Sequence, residues 1–266
     1  MSDLFSAEGR AALARLCAGP AIFGFDFDGT LAPICPTPGE VQMDARTAVA
    51  FAALTRRAPV AVVTGRGVAD VRIRLLGAPR WVVGNHGNEG MPGGDAARQA
   101  QQATVCAGWC AQLQEMGALS GAGIVLEDKR YTLSLHYRQA PDWQAAQAQL
   151  AARLGALQPA PEVVSGKCVF NLMPAGASDK FRALRELAQI DMPASTVFFV
   201  GDDDNDEIVF RNAPPDWVTV KVGNEGSTAA RFRLRGQEAL ADCLDLLLAL
   251  CPEAAGASGL RGVQHP

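Results

Sequence analysis

Ala21-Ile-Phe-Gly-Phe-Asp26-Phe-Asp28-Gly29-Thr30-Leu31 decides how this chain is read. An uninterrupted apolar run ends in two aspartates that flank a phenylalanine. Such a run fits a strand buried on both faces, as in a parallel sheet. The acidic pair then stands at the strand's carboxyl end, where open α/β sheets bind ligands. Asp26 suits a carboxylate nucleophile that forms an acyl phosphate. If Gly29 turns the chain sharply, Asp28 swings back to the same centre as general acid and base. Backbone amides beyond the strand are placed to hold phosphate oxygens. Asp-Gly is also a common turn dipeptide, so this stretch alone leaves a plain surface turn open.

Other apolar runs end in a similar way. Pro59-Val-Ala-Val-Val63 leads into Thr64-Gly65-Arg66. A hydroxyl directly after a parallel strand can hold phosphate, and the Arg66 guanidinium can reach phosphate or substrate. Thr64 also fits the start of a helix over 68–76, and the two roles are compatible because helix N-termini bind anions. Arg80-Trp-Val-Val83 enters Gly84-Asn85-His86-Gly87-Asn88-Glu89-Gly90, which holds one of three histidines. Its glycines point to close backbone approach by a ligand, or to a loop around a hydrogen-bonded histidine. Residues 196–200 lead into Gly201-Asp202-Asp203-Asp204-Asn205-Asp206-Glu207. So many adjacent acids repel one another without a cation. Mg²⁺ fits as a hard, phosphate-bridging ion, although acids also suit a helix N-terminus. Lys180 opens a helix capped by Ser178 or Asp179, where a cation opposes the macrodipole. That misfit points to an anionic site.

Between the third and fourth of these strands the composition changes. Residues 91–98 read as a polar, glycine-rich joint, followed by a helix to about 116. Strands at 123–128 and 131–138 flank a tight turn at Lys129-Arg130. A helix over 143–154 precedes strands at 162–165 and 168–173, joined by Gly166-Lys167. Apolar residues at 133, 135 and 137 put Ser134, His136 and Arg138 on the opposite strand face. The expected organisation is a discontinuous core, 1–95 and 176–266, with an inserted α+β cap at 96–175. Lys129, His136, Arg138 and Lys167 then form a substrate surface or a solvated sheet face. Helices at 6–18, 44–57 and 238–250 and strands at 218–222 and 231–234 complete the core. Residues 252–266 are expected to be a disordered tail.

Composition and length suit one large domain or two modest ones with a sizeable core. The chain has 266 residues, 48% hydrophobic, with a formal net charge of −4. That balance gives no electrostatic case for nucleic acid or an anionic membrane. The N-terminus lacks a signal pattern, and no run reaches transmembrane length. Seven scattered cysteines without Cys-x-x-Cys fit a reduced, cytoplasmic setting. Cys106 and Cys110 read as small buried hydrophobes on one helix. Nothing in the sequence specifies an oligomeric state.

The motifs together resemble the haloacid dehalogenase superfamily of phosphohydrolases. They are Asp26-Phe-Asp28-Gly29-Thr30, Thr64, Lys180 and Gly201-Asp202-x-x-x-Asp206, in that order. The inserted unit is similar to that superfamily's larger cap class, the C2 type. The resemblance implies an α/β fold, a Rossmann-like parallel-sheet core with an α+β cap. Within the superfamily the chain looks like the trehalose-6-phosphate phosphatases. That likeness rests on Thr64-Gly65-Arg66, Gly84-Asn85-His86-Gly87, Glu127-x-Lys129, His136-Tyr137-Arg138, Gly166-Lys167 and Gly201-Asp202-Asp203-x-x-Asp206-Glu207. The chain departs from that pattern at Asn205, Phe181 and Asn171, the last of which bears on sugar specificity.

The resemblance implies Mg²⁺-dependent hydrolysis of trehalose 6-phosphate, with Asp26 as nucleophile and Asp28 as acid and base. It implies phosphoryl contacts from Thr64 and Lys180, and metal binding by Asp26, the Asp28 carbonyl, Asp202 and Asp206. Gly65, Arg66, Asn85, His86, Gly87, Glu127, Lys129, His136, Arg138, Lys167 and Asn171 are the implied substrate-binding residues. The runner-up is the same chemistry on sucrose 6-phosphate or a mannosyl- or glucosylglycerate phosphate, or a phosphosugar mutase. A phosphate-responsive receiver domain is the reading from another class. The long cap and the Asp-x-Asp-Gly-Thr spacing oppose it.

Overall fold

In the computed structural model, residues 1–251 are described except 36, 37, 122, 167, 191 and 194. The tail expectation for 252–266 and the expectation for Lys167 therefore lie outside the described residues. Four strands come first: β1 (Ser2–Asp3), β2 (Ala21–Phe25), β3 (Val60–Val63) and β4 (Trp81–Val83). A second group follows: β5 (Val125–Asp128), β6 (Leu133–His136), β7 (Glu162–Gly166) and β8 (Val169–Met173). The last three are β9 (Thr196–Gly201), β10 (Val218–Val222) and β11 (Phe232–Leu234). The helices are α1 (Ala7–Cys17), α2 (Ala45–Thr55), α3 (Val68–Arg72), α4 (Ala96–Glu115), α5 (Trp143–Leu154), α6 (Lys180–Ile190), α7 (Glu207–Asn212) and α8 (Leu240–Leu250).

The main sheet has seven strands in the order β1-β11-β10-β9-β2-β3-β4, and every pair is parallel. From β2 the chain winds outward to β3, and β9 later pairs with the other side of β2. The switch point, where parallel sheets open a crevice, therefore lies at the end of β2. Alternate residues of each strand bury into opposite layers. Phe23, Phe25, Phe198 and Val200 pack with α1, α2 and α8. Ile22, Ala61, Val197 and Phe199 pack with α6 and α7. Burial on both faces is why these strands read as unbroken apolar runs. Each of the Ile, Val and Phe side chains among them contributes about 1.5–3 kcal/mol when fully buried.

The second sheet is antiparallel, in the order β5-β6-β8-β7. Leu133, Leu135 and Tyr137 face α4 and α5 in a separate cluster with Trp109, Leu150 and Leu172. The opposite face of this sheet turns toward the carboxyl ends of the main sheet. The outgoing and returning chain segments are joined by the Asn88 side chain, and Arg98 of α4 also donates to the Gly176 carbonyl. Asn88 Nδ2 donates to the Ser178 carbonyl (3.1 Å), and Asn88 Oδ1 accepts from Ser178 N (2.7 Å) and Gln102 Nε2 (3.1 Å).

Three local expectations change. β1 adds an edge strand that two residues are too few to announce by periodicity. The helix expected over 68–76 stops at Arg72, and Arg74 turns back to Asp70 and to the carbonyls of Gly39 and Val41. Ser134, on the face expected to be polar, is 1% exposed beneath Asn171. Among the described residues no helix is long and apolar enough to cross a membrane.

Candidate active site

Asp26 follows β2 directly and is 4% exposed. Its N–H donates to Val200 O of β9 (3.0 Å), which keeps the strand pairing beyond its formal end. The chain then doubles back, with Gly29 N donating to Ala32 O (2.7 Å). Gly29 has φ +73°, and a Cβ there would run into the Asp202 carboxylate. Glycine is thus required twice, for the left-handed turn and for the close approach.

Lys180 opens α6 and is 1% exposed. Its Nζ lies 2.9 Å from Asp26 Oδ1 and 2.7 Å from Asp206 Oδ1. Burial works against the ammonium, but Asp206 and Asp26 outweigh it and raise the Lys180 pKa. Burial pushes the Asp26 carboxyl well up, helped by Asp206 and Asp202 and opposed by Lys180. Carboxylate oxygens of Asp26, Asp202 and Asp206 all lie within 4.8 Å of one another. Three acids against one ammonium form a hard-oxygen donor set with excess negative charge, which fits a divalent cation. Asp206 is anchored further by Asp203 N, which donates to its Oδ2 (3.0 Å). Asp203 itself caps the short turn Asp204–Asp206. Lys221 Nζ donates to the Asp202 carbonyl (2.5 Å), a support that sequence reasoning missed because β10 carries no acidic motif.

Thr64 follows β3, is 1% exposed and accepts from Arg66 N (3.1 Å). Arg66 grips Asp28 with both prongs, Nε to Oδ2 and Nη2 to Oδ1, each 2.7 Å. Its Nη1 reaches Asp70 (2.7 Å), and the guanidinium lies over the Phe27 ring. Burial opposes its charge, but Asp28 and Asp70 raise the pKa further.

Asn85 and His86 are both left-handed, at φ 50° and 57°, a strain typical of functional loops. His86 packs edge-on where a Gly65 Cβ would stand, 2.6 Å from its Cε1. Burial, with Lys129 and Lys180, drives the His86 pKa well down, so the ring is neutral. Its buried Nε2 has no hydrogen-bond partner. Asn85 and Gly87 do not reach the cavity wall. The Asn85 carboxamide instead donates to Glu89 Oε2 (2.8 Å) and Lys129 O (3.2 Å) and accepts from Thr132 (2.7 Å). It bonds the main-sheet loop to the second unit.

A cavity of about 400 Å³ separates the two sheets, a size suited to a small ligand. Asp26, Asp28, Thr64, Gly65, Arg66, His86, Lys180 and Asp202 line one side. Glu127, Lys129, His136, Arg138 and Asn171 line the other. Glu127, His136 and Asn171 lie on the sheet face opposite Leu126, Leu133, Leu135, Phe170 and Leu172 of the second cluster. His136 Nε2 lies 2.9 Å and Lys129 Nζ 3.6 Å from Glu127 Oε2. Although burial opposes its charge, His136 and Lys129 hold the Glu127 carboxyl below its ordinary pKa. Burial also lowers the Lys129 pKa. Asn171 Oδ1 accepts from Ser134 (2.7 Å).

Comparisons with known proteins agree with this arrangement. The family model described as Trehalose-phosphatase matches residues 24–237. A trehalose-phosphate phosphatase of Mycolicibacterium paratuberculosis is 34% identical over 233 residues, 81% of this chain and 58% of the relative. The chain thus spans somewhat under three-fifths of that relative's length. Among solved structures, a trehalose-6-phosphate phosphatase related protein superposes with TM-score 0.73 at 23% identity, covering 86% of this chain and 97% of that one. The C-terminal domain of the Candida albicans trehalose-6-phosphate phosphatase gives TM-score 0.69 at 20% identity, covering 90% and 96%. The parallel core and the facing antiparallel sheet are the fold shared with these solved structures, and the chain belongs to the trehalose-phosphatase family.

Proposed function

We propose that the protein is a Mg²⁺-dependent phosphatase that hydrolyses trehalose 6-phosphate through an aspartyl phosphate on Asp26, with residues 96–175 as its cap. One observation carries this reading. The buried cluster of Asp26, Lys180, Asp202 and Asp206 adjoins a cavity whose far wall is a polar sheet face. Relatives bearing the name trehalose-phosphate phosphatase supply the substrate.

Asp26 attacks phosphorus in line with the sugar oxygen. The bond from phosphorus to that oxygen breaks, and Asp28 protonates the departing hydroxyl. Asp28 then takes a proton from water, which attacks the aspartyl phosphate and restores Asp26. The Thr64 hydroxyl and the Lys180 ammonium balance charge on the phosphoryl oxygens. Asp26, the Asp28 carbonyl and Asp202 would hold Mg²⁺, backed by Asp206, and the bound ion would draw charge from the phosphoryl group. Arg66 aims Asp28 before the reaction and must release it for proton transfer. The freed guanidinium suits the phosphate.

Gly65, His86, Glu127, Lys129, His136, Arg138 and Asn171 bind the sugar, and Lys167 joins them by its motif. Asn85 and Gly87 act one layer back, by holding the loop that carries His86. Closure of the cap excludes water from the acyl phosphate.

The test is phosphate release from a panel of sugar phosphates, with and without Mg²⁺, with Asp26→Asn as control. Strong preference for trehalose 6-phosphate with a silent, folded Asp26→Asn is the expected result. Near-normal release by that variant overturns the nucleophile. Preference for another sugar phosphate overturns the substrate but keeps the chemistry.

A further inference from the structure

Cys17 and Cys251 stand 234 residues apart in sequence, yet their Sγ atoms lie 3.1 Å from each other. Cys17 is the last residue of α1, and Cys251 caps the end of α8. These two helices pack together on one face of the main sheet. The remaining cysteines are placed differently. Cys106 and Cys110 sit one turn apart on α4 and pack into the second cluster. Cys35 and Cys168 line the cavity, and Cys243 is fully buried. Among the described residues, only the Cys17–Cys251 pair has its sulfurs in hydrogen-bonding contact.

We propose that Cys17 and Cys251 are an oxidisable pair, a modification site at which hydrogen peroxide closes a disulfide between the ends of the first and last core helices. The shared hydrogen bond divides the work between the two sulfurs. Cys17 keeps its proton, held up by its bond to Cys251, while that bond lowers the Cys251 pKa. The thiolate, not the thiol, is the nucleophile. The Cys251 thiolate attacks a peroxide oxygen. The O–O bond breaks, a sulfenic acid forms and hydroxide leaves as water once protonated. The Cys17 sulfur then attacks the sulfenic sulfur, the S–O bond breaks, and a second water carries off the hydroxyl and the Cys17 proton. Two thiols lose two electrons, and one peroxide is reduced to two waters. Only a small oxidant suits this site, because Cys251 is 7% exposed.

The crosslink ties together chain segments that the unfolded state holds far apart, so it restricts the unfolded ensemble. Neither cysteine lines the cavity. The oxidised protein therefore melts several degrees higher and keeps its turnover.

The experiment treats the full chain with hydrogen peroxide, blocks the remaining thiols with an alkylating reagent and maps peptides by mass spectrometry without reduction. The expected result is a linked Cys17–Cys251 peptide and loss of two of the seven free thiols, both reversed by dithiothreitol. Cys17→Ser is expected to abolish the linked peptide and the rise in melting temperature, with phosphate release unchanged. The proposal is overturned if both cysteines remain alkylatable in wild type. It is equally overturned if Cys251 links to a different cysteine, or advances to sulfinic acid with Cys17 still free. The mapping on wild type stands whether or not the variant folds.

Discussion

Replacing Lys180 by methionine keeps the volume of a fully buried side chain and removes only its charge. Asp26 and Asp206 then lose the ammonium that sits 2.9 and 2.7 Å away. Breaking a buried ion pair from one side costs about 3–5 kcal/mol, because the partner charges stay behind uncompensated. At about 2–4 °C per kcal/mol for a protein of this size, the melting temperature falls by about 6–20 °C. The assay is thermal unfolding by circular dichroism in EDTA. A second variant, Lys180→Met with Asp206→Asn, removes one excess charge and should recover part of the loss, by about 0.5–3 kcal/mol. Calorimetric titration should show the opposite sign. Without the ammonium, a divalent cation meets less repulsion and binds Lys180→Met more tightly, although turnover drops by about 10²-fold or more. A single variant that melts within 2 °C of wild type in EDTA, a threshold of about 0.5–1 kcal/mol on the same scale, would refute the charge argument.

The remaining predictions concern the loops around the cavity. Arg66→Ala should slow turnover about 10-fold or more while the fold holds. Arg66→Lys should not restore it, because one ammonium cannot span both Asp28 oxygens; full recovery in Arg66→Lys would disprove the aiming role. His86 has a folded-state pKa well below its ordinary 6.5, so the unfolded chain binds the extra proton. Its contribution to stability is present above about pH 6.5 and lost as pH falls, with a slope approaching about 1.4 kcal/mol per unit. His86→Asn should flatten that slope in melts between pH 7 and about 5. Asn85→Ala leaves the Thr132 hydroxyl and the Lys129 carbonyl without their partner, at a cost of about 1–3 kcal/mol. An unchanged denaturation midpoint would count against the bridge between the two units.

The parts of the site carried by strand ends were legible because burial on both faces leaves a continuous apolar run, and a polar residue at its end stands out. Asp26, Thr64 and Asp202 were found in this way. His136 and Arg138 were legible from alternation within a short strand, whereas Glu127 and Asn171 entered only through the family resemblance. The grip of Arg66 on Asp28 was not, since it needs β3 beside β2, a pairing no local pattern encodes. Asn85 was misplaced for a related reason. A glycine-flanked polar loop signals close approach, but not whether the neighbour is a ligand or another part of the chain. The Cys17–Cys251 contact is invisible to spacing, because only the packing of α1 on α8 brings its ends together.

The Asn88 clamp has a mechanical consequence. A lobe joined to a body by one chain crossing can twist as well as tilt. Here two crossings, ninety residues apart in sequence, are bonded to each other by the Asn88 carboxamide. If residues 96–175 act as the proposed cap, the two crossings would serve as paired hinge pins that suppress torsion and leave tilting about the line through both. A lobe confined to one degree of freedom returns its side chains to the same place at each closing stroke. A ligand held between the two sheets would then meet the same wall each time.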